Sequence, residues 1–463
     1  MVTSALCFVS LFSLLLLSSS SPLPSTIKLP LYHSTKFQSS DPLLVFQHLS
    51  SLSLSRARQL KSPAKHSSSL VDIPLYSRSY GGYSISLSFG TPPQPLKFVM
   101  DTGSSLVWFP CTSRYLCSRC NFVNVDPTKI PTFLPKQSSS SKLIGCRNPK
   151  CAWIYGPSVL SKCQDCNPST QNCTQTCPPY IVEYGLGSTT GLLLSETLDF
   201  PNQTVTDFLV GCSIFSTRQP EGIAGFGRSS ESMPSQFGLR KFAYCLVSRR
   251  YDDTPTSGDL ILFPGSGKGD TKTQGLDYTP FSKNPNVSNA VFQSHYYVSL
   301  RKIIVGGKHV KVPHSLLVSG SDGNGGTIVD SGTTFTFMES AVFEPVAQEF
   351  VKQLANFTPA TDIQNLTGLR PCFNLSGHEN ALFPDLVFQF KGGAKMKLPL
   401  ANYITLIDQD VVCLTIVTDN NVIGPEQVRE GPAIILGSFQ QQNYYIEYDL
   451  ENNRFGFKRQ QCA

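Results

Sequence analysis

The pattern of apolar and polar positions changes abruptly near Tyr80. Beyond it the chain reads GGYSISLSFGTPPQPLKFVM, alternating on either side of a Gly-Thr-Pro-Pro turn. A two-residue period bounded by turn residues predicts a β-hairpin. Strand texture returns in PYIVEYGLGSTTGLLLSETLDF (179–200) and in HYYVSLRKIIVGGKHV (295–310). The expectation is many short strands joined by turns, an all-β chain. Composition agrees: charged residues make up 15%, below the roughly 25% of globular proteins at large, while Gly, Pro, Ser and Thr are frequent.

The first 73 residues have a different texture. Residues 1–21 carry no charge and hold an apolar centre from Leu6 to Leu17 followed by small residues. This reads as a secretory signal peptide, although a basic start is missing; the apolar run is short for a membrane span. Residues 22–73 are Ser-rich and basic, with Lys28, Lys36, Arg56, Arg58, Lys61 and Lys65 against Asp41 and Asp72. They read as a processed leader and not as the first part of a folded body. The net charge of +6 is thus concentrated ahead of the main body, which presents no basic face for nucleic acid. No later segment is long enough to anchor in a membrane.

Cysteine usage supports an oxidising compartment. Fifteen cysteines are present, and loss of Cys7 with the signal leaves an even number, enough for up to seven disulfides. Cys117/Cys120 and Cys163/Cys166 form C-x-x-C pairs, but they lie about forty residues apart with no histidine at ligand spacing, so disulfides are expected and zinc is not. No metal or cofactor is expected elsewhere. Sequons start at Asn172, Asn202, Asn286, Asn356, Asn365 and Asn374, candidate glycosylated surface loops in a secreted chain.

The main body repeats itself in outline. A first half, 74–270, carries a Cys-rich insertion at about 111–177. A turn-rich stretch at 248–275 leads into a second half, 271–463. Each half has a hairpin, then an apolar run ending in Asp, then Thr/Ser-Gly-Ser/Thr, and later an apolar–apolar–Gly segment. The aspartates are Asp101 in FVMDTGSSLVWFP and Asp330 in GTIVDSGTTFTFM; the later segments are Ile223-Ala224-Gly225 and Ile435-Leu436-Gly437. An ionised carboxylate in such apolar surroundings costs several kcal/mol unless it is paired or hydrogen-bonded. If the halves pack about a pseudo-two-fold axis, the two acids meet and share one proton. They then supply a general acid and a general base able to activate water. Gly103 and Gly332 permit close backbone approach and offer N–H groups. Ser104 and Thr333 can bond the outer oxygens, and Thr102 and Ser331 can cross-link the two loops. Other signals fail: the seven histidines are scattered, and neither GSGKGDT (265–271) nor GIAGFGR (222–228) has nucleotide-loop spacing.

DTGSSLVWFP, YGLGSTTG, DSGTTFTF and IILGSFQQQNYYIEYDLENNRFGF together resemble the pepsin-like aspartic proteases, and the insertion resembles their plant nepenthesin-type and nucellin-like branch. The likeness spans nearly all of residues 74–463. It implies a bilobal all-β endopeptidase with two pseudo-symmetric, barrel-like lobes, a monomer that cleaves extended polypeptide in the cleft between them. It also implies a flap hairpin carrying Tyr184, Gly185 and Gly187, with Trp108 as partner of Tyr184, and Leu186 where a polar tip residue is common. Disulfides Cys372–Cys413 and Cys245–Cys462 follow from the same resemblance. The leader becomes a pro-segment whose cation neutralises the acids; Lys61, Lys65 and Arg58 are the candidates. The expected destination is the cell wall or apoplast, with the vacuole as alternative. Inert relatives of the same fold that inhibit microbial glycosidases are the competing expectation.

Overall fold

The computed structural model describes residues 26–33, 41–61, 82–120, 126–163, 173–184, 187–200, 203–248, 257–265, 272–286, 291–378, 381–419 and 430–462. The predicted hairpin is present. Strands β2 (Tyr83–Phe89) and β3 (Gln94–Asp101) pair antiparallel from Ser84–Val99 to Phe89–Gln94. Phe98, Val99 and Met100 are all buried, so β3 is apolar on both faces and carries Asp101 inward at its end.

What fixes that end is a crossing that occurs twice. In the first half, the strand Gly222–Gly225 runs parallel to β3, with Gly225 level with Asp101, and antiparallel to β4 (Trp108–Pro110) through Ile223. In the second half, Ile434–Leu436 runs parallel to Thr327–Val329 and antiparallel to Thr336–Met338. The doubled apolar–apolar–Gly segments are therefore the middle strands of the two crossings. Their terminal glycines are required by proximity: a Cβ on Gly437 would stand 2.5 Å from the Thr334 carbonyl oxygen, well inside contact distance.

The halves are joined by backbone. Tyr444–Asp449 and Arg454–Arg459, near the end of the chain, pair with each other. The former also pairs with Leu239–Cys245 of the first half, within one 15-stranded sheet. Cys245–Cys462 lies along this seam and Cys372–Cys413 within the second half; both are pairings that the resemblance implies. Phe242 stacks on Tyr448 across the seam, with ring centroids 4.5 Å apart. The remaining architecture is mostly β, and among the described residues no helix is long and apolar enough to cross a membrane.

The leader departs from expectation. Its described parts are folded onto the body, as strand β1 (Ile27–His33) and helix α1 (Pro42–Lys61). β1 lies between Ser257–Pro264 and β2. α1 begins with Asp41, whose carboxylate accepts from Leu43 N at 2.9 Å, and with Pro42 at its first position, a residue already shaped for a helix start. Arg58 and Lys61 lie in its last turn, where cations suit the dipole. Val45, Phe46, Leu49, Ala57 and Leu60 pack on Phe335, Phe337, Ile407 and Phe439. Ser50, Ser53, Arg56 and Lys61 share that buried face and blur its apolar period. Ser53 is satisfied there, donating to Leu49 O at 2.8 Å and accepting from Phe335 N at 2.9 Å.

In the Cys-rich insertion, Cys117–Cys120 closes on itself, while Cys163 bonds Cys146 and Cys151 bonds Cys177. The second C-x-x-C pair therefore does not close on itself; Cys166 lies outside the described residues. Cys111–Cys212 ties the insertion to the strand Gln203–Thr217. Of the sequons, Asn286, Asn356 and Asn365 are exposed and Asn374 is half-buried; Asn172 and Asn202 lie outside the described residues.

Phe242→Ala should cost about 3–5 kcal/mol, the range for removing a buried aromatic ring. The check is the urea unfolding midpoint at unchanged slope.

Candidate active site

Each aspartate is held at a strand end by a short turn that points its own donors back at the carboxylate. Gly103 N donates to Asp101 Oδ1 at 3.0 Å and Ser104 Oγ to Oδ2 at 2.5 Å. In the second half, Gly332 N donates to Asp330 Oδ1 at 2.9 Å and Thr333 Oγ1 to Oδ2 at 2.6 Å. Atom for atom, the two sets of donors match.

The turns are also locked to each other. Thr102 N donates to Ser331 Oγ at 3.1 Å and Ser331 N to Thr102 Oγ1 at 2.8 Å. Each hydroxyl in turn donates across the gap, Thr102 to Val329 O at 3.4 Å and Ser331 to Met100 O at 3.0 Å. The structure thus brings Asp101 and Asp330 together at the centre, 3% and 0% exposed, within hydrogen-bonding reach of one another. The fit leaves no space for a side chain between them. A Cβ on Gly103 would stand 2.7 Å from Asp330 Oδ1, and one on Gly332 would overlap Asp101 Oδ1.

Above the pair, the strands Tyr180–Tyr184 and Gly187–Phe200 form a hairpin that pairs Tyr184 with Gly187. Trp108 Nε1 donates to Tyr184 Oη at 2.7 Å, and both residues are buried. Gly185 and Leu186 lie outside the described residues.

Among the described residues the cation at the acids is Arg56, not Lys61 or Arg58. Arg56 Nη2 donates to both oxygens of Asp101 at 2.6 and 2.8 Å, and Nε to Asp330 Oδ2 at 3.3 Å. Its Nη1 donates to Gln59 Oε1 at 2.8 Å, and Gln59 Nε2 donates to Glu183 O on the strand Tyr180–Tyr184 at 2.5 Å. The helix therefore ties the acids to the strand Tyr180–Tyr184. Lys61 instead pairs with Glu339, Arg58 is exposed, and Lys65 lies outside the described residues. Helix phase explains the difference: at about 100° per residue, Arg58 points roughly 200° away from Arg56. The stripe Val45, Leu49, Ser53, Arg56, Leu60 at spacings of three and four was the signal in the sequence that could have selected Arg56.

The electrostatics of the pair are asymmetric. Burial raises Asp101 to about 6, opposed by Arg56 and helped by the Asp330 charge. Burial also pushes Asp330 upward, but Arg56, Thr333 and Gly332 together hold it below its ordinary value. The two carboxylates therefore titrate as a coupled pair, with Asp101 the side on which burial is less fully offset. Burial and the Asp101 charge push the Tyr184 hydroxyl upward, so it remains protonated. Beneath the helix, His295 Nε2 meets Leu60 O at 3.3 Å, and burial lowers His295 to about 4. Among the described residues no group of three or more His, Cys, Asp or Glu could hold a metal ion.

This geometry defines a class: a two-half β fold with paired carboxylates between the halves. Family models described as xylanase inhibitor N-terminal and C-terminal match residues 83–263 and 295–459. A probable aspartyl protease of Arabidopsis thaliana is 31% identical over 436 residues, covering 85% of this chain and 84% of its own. The aspartic proteinase nepenthesin-2 of Nepenthes gracilis is 30% identical, covering 86% and 81%. The chain belongs to the plant pepsin-like aspartic protease family. Among solved structures, edgp superposes with a TM-score of 0.62 at 21% identity over 94% of this chain and 95% of its own. The basic 7S globulin from soybean superposes with 0.59 at 17% over 95% and 98%; both likenesses are of fold.

A raised carboxyl favours folding while protonated and opposes it once ionised. Wild-type stability should therefore fall relative to Asp101→Asn as the pH rises from about 4, the ordinary range, through about 6. Thermal midpoints of the two proteins across pH 3–8 give the difference curve. A flat difference would show that Asp101 is not raised.

Proposed function

We propose that the protein is an aspartic endopeptidase, secreted and made in a latent form. The observation that carries this reading is the pair of cross-linked turns with matching donors around two touching carboxylates. A structural role needs no such symmetry, whereas water activation needs two acids of unlike proton affinity. The two acids share one proton, so the ionised carboxylate is the base and its protonated partner the acid. With the leader withdrawn, a water between them gives a proton to the ionised carboxylate while the protonated one hydrogen-bonds the scissile carbonyl oxygen. The water oxygen adds to the carbonyl carbon, the C–N bond breaks, and a proton passes to the leaving amine. No covalent enzyme intermediate forms. Tyr184, oriented by Trp108, closes over an extended polypeptide.

Latency is supported by Arg56, which spans both carboxylates, and by α1, which lies along the cleft. Acid should release it. Protonation of Asp101 below about pH 6 removes one partner of the guanidinium, and charging His295 below about pH 4 places a cation against the helix end. The signal-like start and the disulfides support a secretory route, to the cell wall or apoplast or else to the vacuole, and a monomer suffices for the site. The matching family models take their description from xylanase inhibitors; the complete acid pair favours hydrolysis over inhibition.

The test is digestion of a denatured protein at pH 3–5 with and without pepstatin. Pepstatin should stop it, and Asp101→Asn should lose about 10²–10⁴-fold in rate, the usual worth of an acid–base group. Full activity in that variant would falsify the assignment. Arg56→Gln should begin to cleave at less acid pH than the wild-type chain, read as the pH at which cleavage first reaches half its maximum.

A further inference from the structure

We propose that Glu339, the Pro432 carbonyl and the face of Phe337 form a subsite that takes a lysine side chain of the polypeptide substrate; this rests on the peptidase reading above. The subsite is seen filled by the leader. Lys61, in the last turn of α1, is 2% exposed. Its ammonium is ion-paired with Glu339, donates to Pro432 O at 3.2 Å and stands 5.4 Å from the centroid of the Phe337 ring. A carboxylate, a carbonyl and an aromatic face around one ammonium make a complete set of partners for a cation out of water.

An ammonium is buried only where such partners are already in place, and these belong to the body. Phe337 lies in the strand Thr336–Met338 and Glu339 directly follows it; Glu339 N donates to Ala433 O at 2.9 Å. Behind Glu339, Asp419 adds to the negative field felt by Lys61 and accepts from Ser340 N at 3.0 Å. At the rim, Gly431 is pinned by Asn324, whose Oδ1 accepts from Gly431 N at 3.0 Å. A Cβ on Gly431 would stand 2.8 Å from the Lys61 backbone, so the rim admits the main chain of a guest as well as its side chain.

The position follows from the helix. Arg56 and Lys61 are five residues apart, about 7.5 Å along the axis. That distance is spanned by two to three residues of extended chain. The strand and turn bearing Phe337 and Glu339 also continue directly from the Asp330 turn, so the subsite lies on a wall of the same cleft. It should read a residue two or three positions from the bond cut.

The experiment has two arms. In the first, the acid-treated full chain digests a mixture of denatured proteins, and the cut sites are mapped by mass spectrometry. Lysine should be enriched about tenfold over methionine at one fixed position, the usual worth of a charge-assisted contact. In Glu339→Gln that ratio should fall to within about twofold. Cleavage with no basic preference at any position overturns the proposal. In the second arm, thermal unfolding of the intact Lys61→Ala chain is followed with and without millimolar n-butylammonium. The amine should raise the midpoint of Lys61→Ala but not of Lys61→Ala/Glu339→Gln. No effect of the amine overturns the pocket whether or not the chain cleaves anything. Rescue by the amine without any cleavage leaves the ammonium pocket standing and overturns the peptidase reading, and with it the role in substrate selection.

Discussion

Everything at the centre of this molecule depends on bringing two carboxylates into contact in a place without bulk water. Repulsion and desolvation both oppose it, and each must be offset by groups fixed beforehand. The backbone supplies most of the compensation: Gly103 and Gly332 present their N–H groups, and the interlocked Thr102 and Ser331 keep the turns from separating. The repeated crossing of strands exists to deliver these turns. Its middle strands end in Gly225 and Gly437 because anything larger would push the acid-bearing loops apart.

A site built to stabilise a shared proton also attracts a fixed cation. Arg56 satisfies three carboxylate contacts with one delocalised group, geometry that a lysine ammonium does not offer. Lys61 shows the complementary case, a compact charge seated against one carboxylate, one carbonyl and one ring. The two residues lie on one helix and report two kinds of recognition on the same face of the protein, planar and forked near the acids, rounded and single-pointed beside them.

Much of this was legible in the sequence. The Asp-Thr-Gly and Asp-Ser-Gly turns announce themselves because the chemistry admits few substitutes at those positions, and their duplication gave the two halves. The hairpins were visible from a period of two. The leader was not. Its buried face includes Ser50, Ser53, Arg56 and Lys61, polar residues that find partners only once the body is in place, so composition suggested an unpatterned tail where the structure has a helix and a strand. The choice among basic residues likewise depended on helix phase, which matters only once a helix is assigned there. Cys163 bonds Cys146 and not its near neighbour in sequence, a pairing set by how the insertion folds back.

The strand β1 has a consequence of its own. α1 is held by side chains, among them an arginine whose charge is fixed and, facing it, two aspartates and a histidine whose charges answer to proton concentration. β1 is held by main-chain ladders to Ser257–Pro264 and β2, and peptide groups do not titrate over the same range. On the proposed acid release, one end of the leader would loosen while the other stays zipped into the sheet. Severing the covalent connection would not by itself free the segment: a nicked leader stays docked as a non-covalent strand, and its departure bares two unpaired sheet edges at once.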